Sequence, residues 1–143
     1  MNFLSEKKPR EKIIIAGVGG QALNGHAVAK TLGYEILCFL HDKESGELCG
    51  IPIVNSLTLP TPAKPYNVFV AVGDNFERQK YVQKIRNEYS FVNFPSLIHP
   101  SSVVLSGASI GSGVLLMPNC VIGPAVKVGN FINIGSGTYV GHE

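Results

Sequence analysis

From Ile98 onward an aliphatic side chain stands at every sixth position: Ile98, Val104, Ile110, Leu116, Ile122, Val128, Ile134 and Val140. A second register lies four residues after each: Ser102, Ala108, Val114, Cys120, Val126, Ile132 and Thr138, all small or β-branched and none charged. Glycine follows the aliphatic residue at Gly111, Gly123, Gly129, Gly135 and Gly141. Helices repeat every 3.6 residues and strands every two, so neither sustains a period of six over more than forty residues. A left-handed β-helix does. Each coil holds three short strands, one per hexapeptide, with the aliphatic side chain turned inward at each corner. A β-rich meander with glycine turns is the plainer alternative, and it leaves the second register unexplained.

Residues 13–95 have a different character. Ile13-Ile14-Ile15-Ala16 is an uninterrupted apolar run, as in a strand covered on both faces. It leads into Gly17-Val18-Gly19-Gly20-Gln21-Ala22 and a helix from about Asn24 to Leu32, closed by Gly33 as C′ residue. Strands are expected at Glu35–Leu40, at Ile51–Val54 and at Val68–Val72. The middle one is edge-like because Pro52 cannot donate to a ladder. DKESGELCG reads as turn-rich, and Pro60, Pro62 and Pro65 mark a loop. Gly73-Asp74-Asn75 opens a second helix, about Phe76–Asn87, with Arg78, Lys80, Lys84 and Arg86 expected on its outer side. Strands alternating with helices at this spacing mean a parallel α/β sheet. The expected organisation is therefore a flexible lead-in over 1–12, a Rossmann-like domain over 13–95 and an incomplete β-helix over 96–143.

The glycine loop carries the first functional signal. Gly17-x-Gly19-x-x-Ala22 follows a strand and opens a helix, and Asp42 ends the next strand. That order satisfies the dinucleotide fingerprint in its Gly/Ala form. Glycines let the backbone approach a phosphate, the helix amino end supplies free N–H groups, and an acid after the second strand accepts from a ribose. A tight strand-to-helix turn with no ligand is the plainer reading. A nucleotide or nucleotide-sugar is the ligand class if one binds. An NAD-linked oxidoreductase is the first enzymatic alternative, but a β-helix follows instead of a substrate domain.

Composition removes other classes. Apolar residues make up 45% and charged residues 15% of the 143, which suits a globular chain. A net charge of +2 gives no argument for nucleic acid or an anionic membrane. No apolar run approaches the roughly 18 residues of a membrane span, and the amino end lacks a signal-peptide core. Cys38, Cys49 and Cys120 match no metal-site or disulfide pattern and read as buried free thiols in a reducing cytoplasm; no metal is expected.

Taken together, the stretches IIIAGVGGQA, FLHD, VFVAVGDNFERQKYVQKI, LIHPSSVV and INIGSGTYVGHE resemble the bacterial sugar acetyltransferases of the sialic acid O-acetyltransferase (NeuD-like) and UDP-4-amino-sugar N-acetyltransferase (PglD-like) group. The resemblance covers nearly the whole chain. It implies acetyl transfer from acetyl-CoA to an amino or hydroxyl group of a nucleotide-sugar or sialic acid, in bacterial surface glycan synthesis. It also implies a homotrimer, with the coenzyme lying between neighbouring β-helices.

By position, the resemblance places the acceptor's nucleotide end on Gly19, Gly20 and Gln21, where Gln21 replaces the group's usual histidine. The group's acidic pair after the second strand falls on His41 and Asp42, and Gly73 matches a further acceptor contact. The catalytic base falls on His142, two places after the inward Val140, with Glu143 beside it. Imidazole, ordinarily titrating near pH 6.5, suits proton removal from an amine or hydroxyl at neutral pH, and a carboxylate on its other nitrogen would fix the tautomer. His26 and His99 read as packing and bend residues. Because the resembling proteins continue for several coils, a chain ending here is expected to bind a nucleotide-sugar yet acetylate poorly or not at all. A non-catalytic binding or scaffold module is the third reading.

Overall fold

The computed structural model describes residues 10–59 and 64–142; Glu143, most of the expected lead-in, and Pro60 and Pro62 of the expected loop lie outside the described residues. The amino-terminal half is a sheet of β1 (Lys12–Ala16), β2 (Glu35–Leu40), β3 (Gly46–Leu48), β4 (Ile51–Val54), β5 (Tyr66–Val70) and β6 (Val92–Asn93), in the order β3-β4-β2-β1-β5-β6. All pairings are parallel except β3 with β4. Helices α1 (Gly20–Thr31) and α2 (Asn75–Glu88) complete it. Ile13, Ile14, Ile15 and Ala16 are all fully buried, as an unbroken apolar run in a central strand requires.

Three local readings change. The turn-rich stretch contains β3, joined to β4 by Cys49 and Gly50, both at positive φ (53° and 71°), a two-residue hairpin of the primed type. Cys49 is consequently exposed, unlike Cys38 and Cys120. β4 is therefore not the edge. Pro52 faces Glu47, one pair beyond the Leu48–Ile51 closing pair and so at a non-hydrogen-bonded site, while the β2 ladder begins at Ile53. The missing amide hydrogen is not needed on either side. Helix α1 starts at Gly20 rather than Asn24, so the glycine loop forms its first turn. It closes as expected, with Gly33 N–H donating to Lys30 O (3.0 Å) and Tyr34 N–H to Ala29 O (3.0 Å), the paired bonds of a Schellman end.

The carboxyl-terminal third is a left-handed β-helix. Its strands are two residues each: β7 (Leu97–Ile98), β8 (Val103–Val104), β9 (Ser109–Ile110), β10 (Leu115–Leu116), β11 (Val121–Ile122), β12 (Lys127–Val128), β13 (Asn133–Ile134) and β14 (Tyr139–Val140). They stack in parallel as β7-β10-β13, β8-β11-β14 and β9-β12, the three faces of a prism. Leu97 pairs with Leu115 and Leu115 with Asn133, so one coil takes 18 residues. The aliphatic register is the second residue of each strand. Leu116, Ile122 and Ile134 meet Val114, Cys120 and Val126 of the second register in one interior cluster. Outward residues of the first face do different work: Leu97 and Leu115 are buried with α1 residues Ala22, Val28 and Ala29 in the core of the sheet domain.

Glycine serves the prism in two registers, of which the sequence pattern showed one. The hexapeptide corners at Gly107, Gly113, Asn119, Ala125, Phe131 and Gly137 all have positive φ, six residues apart. The glycines after the strands answer a different need, close approach of the next coil. A Cβ on Gly123 would lie 1.6 Å from Gly141 O, whereas one on Gly129 would meet nothing within 4 Å.

Arg78, expected on the outer side of α2, is instead 6% exposed. Its Nε donates to Phe131 O (2.8 Å), its Nη1 to Val72 O (2.8 Å) and Gly73 O (2.9 Å), and its Nη2 to Asn75 Oδ1. One guanidinium thus ties the end of β5 to a corner of the β-helix. Burial lowers its pKa from the usual arginine value, with Asp74 opposing.

Two outcomes follow. Arg78→Ala strands three carbonyls and an amide oxygen, and is expected to cost about 3–5 kcal/mol in urea unfolding. Gly123→Ala is expected to lower stability by more than about 2 kcal/mol, with Gly129→Ala within about 0.5 kcal/mol of the parent.

Candidate functional site

The sheet order reverses at β1: the chain continues to β2 on one side and later returns to β5 on the other. Open α/β sheets bind ligands in the crevice that such a reversal leaves beyond the strand carboxyl ends. A cleft of about 480 Å³ lies there, walled by the glycine loop, His41, the Ala71–Gly73 segment and the first turns of α2.

Each loop residue has a separable job. Gly17 holds φ +124°, and a Cβ on it would lie 2.6 Å from Ala71 O, so the backbones of the two strand exits touch there. Gly19 caps α1 with extended backbone and without any side-chain hydrogen bond, and no acid stands in the first turn. Cβ atoms on Gly19 or Gly20 would meet nothing within 4 Å. The helix start is thus an open wall of amide N–H groups, with its partial positive charge unanswered by the chain itself. Ala22 is fully buried, the small residue that lets α1 settle on the sheet. Gln21 Oε1 accepts from Asn24 Nδ2 (3.1 Å).

On the opposite side His41 Nδ1 accepts from the backbone N–H of Lys43 (3.3 Å) and of Glu44 (2.9 Å). Two donors on Nδ1 place the proton of the neutral ring on Nε2, making that nitrogen a donor in the cleft wall. Asp42 is placed differently. Its Oδ1 accepts from Ser56 Oγ (3.0 Å) and its Oδ2 from Lys84 Nζ, and it is not among the residues lining the cleft. The sequence places Gly19, Gly20, Gln21, His41 and Gly73 in one site, and the structure brings these five together.

Two polar side chains of the cleft escaped the sequence reading, Glu77 and Tyr81. They stand one turn apart on α2, and their i, i+4 spacing in ERQKY was the available signal. Asp74 accepts the Glu77 N–H (2.9 Å) as N-cap, and the Glu77 carboxylate pairs with Lys80. Tyr81 O–H donates to Leu40 O (3.3 Å), and burial pushes its phenol up to about 12, so it stays a neutral donor.

His142 follows β14 and is exposed; it is not part of the cleft wall of its own chain. Its intended partner Glu143 lies outside the described residues. His26 packs near the Phe39 ring (6.0 Å), and His99 Nδ1 accepts from the Ser101 N–H (3.1 Å), a bend before the first coil.

The family model described as the PglD N-terminal domain matches residues 12–85, more than half of the chain. The chain belongs to this family. A second model, bacterial transferase hexapeptide (six repeats), matches residues 107–142. Among solved structures, the PglD-type chain superposes on the acetyltransferase domain of PglB from Neisseria gonorrhoeae FA1090, in complex with acetyl coenzyme A, at TM-score 0.80 and 27% identity. PerB from Caulobacter crescentus, in complex with CoA and GDP-perosamine, matches at TM-score 0.81 and 29% identity. WeeI from Acinetobacter baumannii AYE, at TM-score 0.79 and 22% identity, shares the fold. These matches cover 94%, 92% and 93% of this chain but 66%, 63% and 65% of the neighbours, so the chain spans less than two thirds of their length. No helix among the described residues is long and apolar enough to cross a membrane.

The two residues that follow β2 separate experimentally. His41→Ala removes one directed donor from the cleft wall and is expected to weaken affinity for a ligand held there about three- to tenfold by calorimetric titration. Asp42→Asn is expected to hold affinity within about twofold while costing about 0.5–1.5 kcal/mol in urea unfolding.

Proposed function

We propose that this PglD-type chain is an acetyl-CoA-dependent acetyltransferase that binds a nucleotide-activated sugar in the glycine-loop cleft. The observation that carries this reading is the cleft's position: an anion-ready helix start at the switch point of a sheet whose core is continuous with a hexapeptide β-helix. The nucleotide's phosphates lie against the amide N–H groups at Gly19, Gly20 and Gln21, with His41 Nε2–H as a donor across the cleft and Gly73 leaving room beside them. Phosphate recognition by open backbone amides needs no cationic side chain, and the glycine loop supplies none.

His142 acts as general base, taking a proton from the acceptor amine or hydroxyl as that atom attacks the thioester carbonyl and the CoA thiolate leaves. Glu143 orients the ring. Acetyl-CoA supplies the acetyl group already activated as a thioester. His142 does not wall the cleft of its own chain, which accords with a base that works on an acceptor presented from a neighbouring copy in a homotrimer. The free cysteines accord with a cytoplasmic setting, where acetyl-CoA is available.

The readings separate in two steps. In a thermal-shift screen, UDP-, GDP- or CMP-sugars are expected to raise Tm while NAD does not; protection by NAD alone would return the oxidoreductase reading. Thiol release from acetyl-CoA, expected to be weak in the parent chain and followed colorimetrically with the protecting amino-sugar nucleotide, is expected to be lost in His142→Ala. Protection with unchanged release in that variant removes His142 from the chemistry. Protection with no release from the parent chain leaves a binding module.

A further inference from the structure

We propose a second ligand site: the groove between α2 and the β-helix corner at Asn130–Ile132 binds a small molecule through an oxyanion, a phosphate or carboxylate group. The groove encloses about 470 Å³ and shares no lining residue with the glycine-loop cleft. Its polar wall is made by Arg78, Arg86, Asn75, Gln79, Gln83 and Asn130, without one acidic side chain.

The decisive feature is how the hydrogen-bonding capacity of that wall is already spent. Asn130 Oδ1 accepts from the Ser112 N–H (2.9 Å), which fixes the amide and leaves its NH₂ to bond. Asn75 Oδ1 accepts from Arg78, and its NH₂ is likewise what remains. Arg78 has committed four of its five N–H groups, so a single Nη2–H is left. Both amide oxygens are thus engaged internally, Arg78 has no acceptor to offer, and the N–H groups are what these three side chains have left. Gln83, which spends an N–H on Asn87 Oδ1, keeps its amide oxygen at the rim, but the donors of Asn75, Arg78 and Asn130 form a set complementary to an oxyanion.

Arg86 completes it. Its guanidinium carbon sits 5.5 Å from the Phe94 ring centre and 5.6 Å from that of Phe131, and those two rings meet edge to face at 5.1 Å. Among the described residues it meets no carboxylate and no carbonyl. A basic residue in the last turn of a helix answers the helix dipole from any rotamer. A seat between two aromatic rings adds orientation, holding the planar fork while its N–H edge stays free. The groove exceeds the volume of a bare phosphate, and Phe131 with Ile132 offers an apolar side for an organic body.

The test uses the full chain and reads the side chains directly. Inorganic pyrophosphate and, in parallel, citrate are titrated while the arginine Nε–H and asparagine NH₂ resonances are followed by nitrogen NMR, against potassium chloride at matched ionic strength. The Arg86 Nε–H and Asn130 NH₂ signals are expected to move saturably. Pyrophosphate response assigns a phosphate ligand and citrate response a carboxylate, and either upholds the site. Read on the Asn130 signal, Arg86→Gln should weaken binding by about tenfold or more, and Arg86→Lys by less. Asn130→Asp, read on Arg86, keeps the bond from Ser112 but opposes an anion, and should weaken it comparably. No saturation below about 30 mM, shifts reproduced by chloride, or unchanged affinity in both Arg86→Gln and Asn130→Asp would overturn the proposal.

Discussion

One buried guanidinium fixes how the two halves of this protein meet. Arg78 loses its hydration without gaining a carboxylate in contact, an arrangement that ordinarily costs several kcal/mol. It persists because three backbone carbonyls and an amide oxygen converge on it, from the end of β5, the start of α2 and the Phe131 corner. Those acceptors need it as much as it needs them. The strand exit beyond β5 has no ladder partner for its carbonyls at Val72 and Gly73, and the corner places a phenylalanine at φ 56°. Left-handed backbone costs a bulky residue about 1–2 kcal/mol, and here the Arg78 bond and the Phe94 contact offset it.

The periodic parts of this fold were legible because periodicity records burial. A residue every sixth place must face one interior, and Leu116, Ile122 and Ile134 do. The strands of the sheet could be read from unbroken apolar runs for the same reason. What failed was polar or singular. Arg78 looks like its neighbours Lys80 and Lys84, since nothing local announces a burial whose partners include a carbonyl 53 residues away. The three-residue β3 was hidden because its pairing rests on two positive-φ turn residues, one of them a cysteine. The positive-φ corners passed unnoticed since only half of them are glycine.

The candidate site shows the same division. A glycine fingerprint is local grammar, and the loop residues it names do share a cleft. Asp42 stands in the right place in the chain, but its carboxylate faces Ser56 and Lys84, partners 14 and 42 residues away that no local pattern announces. The sequence could place His142 in a hexapeptide register, but register says nothing of which cleft that ring meets. The structure puts that ring, exposed, outside the wall of its own chain's cleft.

The 18-residue coil has a consequence for how such a chain can change length. A single inserted hexapeptide preserves the interior, because every sixth residue still faces inward. It nevertheless turns everything downstream by one face of the prism. Leu97 and Leu115 share one column, and it is that column which rests against α1. An insertion between Leu97 and Ser109 would bring Ser109, the outward residue of another face, to the place where the sheet domain holds Leu115. The hexapeptide is thus the unit of folding, but the whole coil is the unit of safe insertion or deletion wherever the prism leans on its neighbour.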